Sequence, residues 1–181
     1  MKKVYILLAQ GFEEVEALAP ADLLRRAGAE VSLLSITDAL KVTGAHDICV
    51  TADAALANTN LEQCDMLVLP GGSPGYINLG KSKNVTDAIL FMLNSQRHVA
   101  AICAAPTILG QMGLLKEKTA VCFPGMESGL NCKNNPDRRV VTDGDITTAK
   151  SAGCAIEFGL ELIRILFGES KSDAIKNQIV F

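Results

Sequence analysis

The sequence lacks the features that mark metal, membrane and nucleic-acid proteins. It has only two histidines, His46 and His98, and no two of its six cysteines, Cys49, Cys64, Cys103, Cys122, Cys132 and Cys154, are spaced as C-x-x-C. Structural zinc needs clustered nitrogen and sulfur donors, so no metal site is expected. No run of lysine or arginine is present, and the net charge is −3 with a pI near 5.4. The electrostatic footprint of a nucleic-acid or acidic-membrane binder is therefore missing. No apolar stretch approaches bilayer length. The opening Met1-Lys2-Lys3, followed by apolar residues from Val4 to Ala9, runs into Gln10-Gly11-Phe12-Glu13-Glu14 instead of a small-residue cleavage site. It reads as a first β-strand and not as a signal peptide. The cysteines are then expected as free thiols in a reducing, cytoplasmic setting.

What is present is ordinary globular material. At 181 residues, 49% apolar and 20% charged, the chain suits one hydrophobic core, and residues 1–181 read as a single domain. Val4–Ala9, Val31–Ile36, Met66–Leu69 and Val99–Ile102 are apolar without in/out alternation, as strands buried on both faces are. Helical spacing occupies Glu13–Ala27 and Asn84–Asn94, a helix can begin in Ala105–Met112, and Ala155–Phe167 forms a strong helix ended by Gly168. A short tail helix can follow from Ser170. Lys41–Asp53 reads as a small hairpin or extended excursion, and Val140–Ala149, containing Asp143-Gly144, as a hairpin with a tight turn. The βαβα order predicts an α/β fold with helices on both faces of a mostly parallel sheet.

Three segments carry candidate chemistry. In Val99-Ala100-Ala101-Ile102-Cys103-Ala104-Ala105-Pro106 a buried strand passes into a helix with Cys103 at the joint. Small neighbours allow the tight turn that lifts a nucleophile clear of a sheet edge, and Pro106 suits a first helical turn. Free amides at the helix start, including that of Ala104, favour a thiolate, so Cys103 is expected to be the most acidic and most readily oxidised cysteine. The elbow alone reads equally as a small buried core cysteine. Leu69-Pro70-Gly71-Gly72-Ser73-Pro74-Gly75 leaves the C-terminal end of a strand, where open parallel sheets bind ligands. Its Gly71 and Gly72 amides could approach a reacting oxygen, or the glycines could serve only a turn. The loop is neither a P-loop nor a G-x-G-x-x-G fingerprint, so no phosphate or dinucleotide cofactor is implied. Glu13-Glu14-Val15-Glu16 opens the first helix. Glu16 and Glu13 both precede apolar positions at helical offsets, so periodicity does not separate them. A carboxyl on a buried face stays protonated and can donate to a thiolate; acids in a first turn otherwise serve only the helix dipole.

In order and spacing, Gly11-Phe12-Glu13-Glu14-Val15-Glu16, Leu69-Pro70-Gly71-Gly72 and Ala101-Ile102-Cys103-Ala104-Ala105-Pro106 resemble the DJ-1/ThiJ/PfpI superfamily over essentially the whole chain. The resemblance implies a flavodoxin-like three-layer sandwich, an oxidation-prone elbow cysteine at Cys103 and a buried glutamate at Glu16 rather than Glu13. It also implies backbone amides from Gly71 and Gly72, a pocket-closing loop at Ser151-Ala152-Gly153 and a homodimer. Where many relatives place a histidine before a proline, this chain has Phe123-Pro124. His98 lies five residues before Cys103, about 16 Å away along an extended strand. His46, in the hairpin excursion, is expected to be exposed and could reach the pocket only by folding over it or from another subunit.

The resemblance implies a cofactor-independent stress protein acting on small reactive carbonyls such as methylglyoxal, or on glycated protein. The residues offer compatible parts: a thiolate, an acid and oxyanion-binding amides. An oxidative-stress sensor or chaperone would use the same thiol without turnover. A peptidase or amidotransferase ordinarily wants a histidine base, and Phe123 counts against it.

Overall fold

The computed structural model describes residues 1–181. Its centre is a seven-stranded sheet in the order β5-β2-β1-β6-β7-β9-β8. The strands are β1 (Lys3–Leu8), β2 (Glu30–Ser35), β5 (Ala54–Ala55), β6 (Met66–Leu69), β7 (His98–Ile102), β8 (Val140–Asp143) and β9 (Ile146–Ala149). Every neighbouring pair is parallel except β8 with β9, which turn back on each other through Gly144-Asp145. A separate antiparallel hairpin, β3 (Lys41–Thr43) and β4 (Cys49–Thr51), stands outside the sheet in the segment expected to be an excursion.

Strand pleating explains the three layers. Successive side chains point to opposite faces, so a strand without polar alternation must be covered on both. In β1, Val4, Ile6 and Leu8 enter one core, while Tyr5 and Leu7 enter the other. β6 divides the same way, Met66 and Val68 against Leu67 and Leu69, as does β7, Ala100 and Ile102 against Val99 and Ala101. Helices α1 (Glu14–Ala27), α5 (Ala155–Phe167) and α6 (Glu169–Gln178) cover the first face through residues such as Leu24, Phe158 and Ile175. The second is covered by α2 (Gly75–Lys81), α3 (Lys83–Asn94) and α4 (Pro106–Gln111), with Leu79, Ile89 and Leu109 inward. The expected flavodoxin-like α/β sandwich is therefore observed. No helix is long and apolar enough to cross a membrane.

Two elements were not anticipated. α2 contains Gly75 and Gly80, residues of poor helix propensity, and forms where Leu79 can be buried. β5 is two residues long and shows no periodicity of its own.

Candidate active site

The chain runs from β1 to β2 on one side and later returns to place β6 on the other side of β1. Such a reversal opens a crevice beyond the C-terminal strand ends. Three segments meet there: the start of α1 after β1, the glycine loop after β6, and the elbow after β7.

Cys103 sits on the elbow with φ of +65°. A non-glycine residue in this left-handed region costs about 1–2 kcal/mol, so the surrounding bonds must hold it there. The Cys103 amide donates to the Ala149 carbonyl at 2.9 Å, and its carbonyl accepts the Phe123 amide at 2.7 Å. The turn is thus pinned on both sides while the side chain keeps partial exposure.

Gly71 lies between the thiol and Glu16. A Cβ built on Gly71 would fall 2.6 Å from the Cys103 Cβ and 2.7 Å from Glu16 Oε2, so only glycine admits this close approach. Gly71 donates its amide to Glu16 Oε2 at 2.8 Å. It was expected to offer that amide to an oxyanion; here the carboxyl takes it. Gly72, at φ of +88°, turns the loop, and its amide and that of Ala104 lie near enough to favour a charged sulfur. Structure separates the two acids that periodicity could not. Glu16 is fully buried, whereas Glu13 remains partly exposed and donates its backbone amide to the Gly71 carbonyl at 3.0 Å.

Burial pushes the Glu16 carboxyl up from 4.5 to about 7, against the opposing pull of the Gly71 amide, the Cys103 thiol and the nearby Ala152 amide. The Cys103 thiol is pushed up to about 12, first by burial and then by the charge and hydrogen bond of an ionised Glu16, while the Ala104 and Gly72 amides pull it down. The helix start alone therefore does not make the thiol acidic while Glu16 is ionised. α4 spans only six residues, and its dipole does not outweigh burial beside a carboxylate.

The position of the proton decides the chemistry. Glu16 Oε1 is buried with no hydrogen-bond partner. An ionised carboxylate with an unpartnered buried oxygen is costly. Protonating the carboxyl removes the negative charge from beside the sulfur and leaves Glu16 able to donate. The Gly72 and Ala104 amides also favour a charged sulfur. Two neighbouring groups of this kind titrate as a pair, so the first proton lost belongs to the pair rather than to either residue.

Neither histidine joins this pair. His98 is buried on β7, with Nε2 2.8 Å from Thr147 Oγ1, and burial pushes its pKa down to about 4. His46 is exposed, as expected, but it is not idle: its Nδ1 lies 3.0 Å from Glu14 Oε2 and 3.5 Å from Glu13 Oε1. This cluster is not legible in sequence, because His46 lies more than thirty positions from the adjacent Glu13 and Glu14 and on a different element. Ser151-Ala152-Gly153 does border the site, through the Ala152 amide near Glu16. The largest cavity, about 720 Å³, lies elsewhere, between β8, α5 and α6, and is lined by residues including Arg139, Glu157, Glu161 and Arg164, whose charges pair with one another.

The DJ-1/PfpI family model matches residues 2–165. The chain belongs to the DJ-1/PfpI family. It is 37% identical over 179 residues to Protein DJ-1 homolog A of Arabidopsis thaliana, covering 97% of this chain but only 46% of that protein, so the chain spans about half the length of this relative. A protein of Pyrococcus abyssi named a deglycase is 30% identical over 167 residues, covering 91% of this chain and 99% of the relative. The structure of oxidized Toxoplasma gondii DJ-1 superposes with a TM-score of 0.96 at 32% identity, over 100% of this chain and 99% of that one. For a DJ-1/PfpI chain, Phe123 remains the departure from the histidine expected in many relatives.

Proposed function

We propose that the protein is a cysteine-dependent enzyme of carbonyl stress, converting methylglyoxal-class dicarbonyls or their early adducts on protein amines and thiols. The observation that carries this reading is the elbow thiol set close to a fully buried carboxyl with only Gly71 between them. The deglycase-named relative adds support. Roles are assigned accordingly: Cys103 as nucleophile, Glu16 as proton carrier, and the Gly72 and Ala104 amides as donors to the developing oxyanion. Residues 1–181 act as one domain, in the reducing cytoplasm that suits six free thiols.

The steps balance without a cofactor. The Cys103 thiolate adds to the aldehyde carbon of methylglyoxal, and the resulting oxyanion takes the Glu16 proton to give a hemithioacetal. The Glu16 carboxylate removes the C1 proton to give an enediolate and returns it to C2, while the C1 hydroxyl proton passes to the C2 oxygen; C1 is thereby oxidised and C2 reduced, leaving a lactoyl thioester. Water hydrolyses the thioester, releasing lactate and restoring the shared proton. The net reaction adds one water to methylglyoxal.

Peptide-bond cleavage is harder for these groups, because a poor amine leaving group must be protonated. His98 is bonded away from the site and His46 is engaged by Glu14. The reading is tested by following methylglyoxal, glyoxal and an unmodified peptide with wild type and Cys103→Ser. Lactate exceeding enzyme over many turnovers, abolished in Cys103→Ser, with no peptide hydrolysis, is the expected result. Product that never passes one equivalent per chain replaces the enzyme with an oxidative-stress sensor or chaperone.

A further inference from the structure

A second constellation lies outside the thiol site, where the turn of the β3–β4 hairpin folds over the start of α1. One ligand atom from each of Glu13, Glu14 and His46 lies within 4.8 Å of the others. We propose that Glu13, Glu14 and His46 form a binding site for a zinc-class divalent metal ion.

Geometry supports this first. Zinc bonds of about 2.0–2.1 Å at tetrahedral angles set ligand atoms roughly 3.3 Å apart. His46 Nδ1 already stands 3.0 Å from one carboxylate oxygen and 3.5 Å from the other. Little movement is needed for all three to face one ion. The ligands are also held from behind. Glu14 Oε1 accepts the backbone amides of His46 at 2.9 Å and Ile48 at 3.3 Å, leaving Oε2 directed at the imidazole. Hydrogen bonds of this kind orient metal-binding carboxylates.

Charge supplies an independent argument. The Glu14 side chain is only 6% exposed, yet the cationic partner found for it, and for Glu13, is His46 rather than a lysine or arginine. Two carboxylates facing one imidazole offer a divalent ion more negative charge than that imidazole can balance. One imidazole with two carboxylates favours zinc over magnesium or calcium, which prefer all-oxygen shells. In the single chain the His46 side chain is 67% exposed, which leaves room for a further ligand.

The test must exclude thiols, since Cys49 is exposed on the same hairpin and Cys103 belongs to the proposed catalytic pair. Zinc binding is therefore measured by titration calorimetry on the full chain carrying Cys49→Ser and Cys103→Ser. One equivalent should bind, and His46→Ala or Glu13→Gln added to this background should weaken binding at least tenfold, whereas Asp87→Asn on α3 should not change it. Circular dichroism melting checks that each variant folds; His46→Gln provides a second, more conservative probe. Cobalt bound in the same background should show visible bands without thiolate charge transfer. The proposal is overturned if no zinc binds, if binding survives His46→Ala within twofold, or if it disappears with the two thiols. Each outcome is independent of dicarbonyl turnover, because Cys103 is already absent.

Discussion

Gly71 binds Glu16 through its amide, at 2.8 Å, and leaves no room for a side chain between that carboxyl and Cys103. One glycine therefore sets both the spacing of the reactive pair and the state of its acid. Adding a methyl group at Gly71 must displace the Cys103 Cβ, the Glu16 carboxyl or the Ile102 carbonyl, which would lie 3.1 Å away. Overpacking of this kind costs about 1–3 kcal/mol. Gly71→Ala is expected to lower unfolding stability by that amount in denaturant titrations and to slow Cys103 alkylation. A variant as stable and reactive as wild type would mean that the loop relaxes freely.

The raised pKa of Glu16 makes stability depend on pH. Its folded value, about 7, lies above the reference 4.5, so the folded chain keeps a proton that the unfolded chain has already lost. The stability associated with the protonated group is fully present below pH 4.5 and is lost as pH rises through about 7. The difference corresponds to roughly 3 kcal/mol. Glu16→Gln should gain stability relative to wild type across that window. Parallel curves for the two proteins from pH 4 to 8 would show that Glu16 ionises normally.

A homodimer is expected from the family, and the surface offers an apolar pair beside the first turn of α1. Val15 and Ile48 are 49% and 54% exposed. They flank Glu14, which accepts the Ile48 amide. Sedimentation at micromolar concentration should find a dimer, and Val15→Asp should shift it toward monomer. Wild type sedimenting only as monomer removes the expectation.

Much of the fold was legible because both-face burial leaves continuous apolar strands. β6 was read as Met66–Leu69 and α5 as Ala155–Phe167, the observed bounds. α2 was hidden because its glycines look like loop and its burial depends on distant partners. At the site, local pattern located Cys103 at the strand-helix joint but could not choose between Glu13 and Glu16, because both face apolar offsets. Burial, a tertiary property, makes that choice. The thiol's electrostatics are only half visible in sequence for the same reason. A helix start is visible in sequence, whereas a buried carboxyl brought alongside from another element is not. His46 could be placed in the hairpin, but its contacts with Glu13 and Glu14 arise only when that hairpin folds over α1.

The thiol itself distinguishes the two locations of the shared proton. If Glu16 holds it, the carboxyl donates to the sulfur, and alkylation of Cys103 by iodoacetamide should rise with the first titration of the pair, near pH 7. Glu16→Leu then leaves the thiolate in a buried setting with only the Gly72 and Ala104 amides, and the alkylation profile should move to higher pH. Glu16→Gln retains a donor and should stay nearer wild type. If the charge rests on Glu16 instead, deleting the carboxylate removes what pushes the thiol up, and Glu16→Leu should alkylate at lower pH than wild type. Mild peroxide provides a second readout, because thiolate character governs oxidation to sulfenic and then sulfinic acid. Peptide mass spectrometry should find Cys103 modified before the more exposed Cys49. Modification of Cys49 first, together with a downward shift in Glu16→Leu, would locate the proton on sulfur and leave Cys103 without the nucleophile that dicarbonyl chemistry requires.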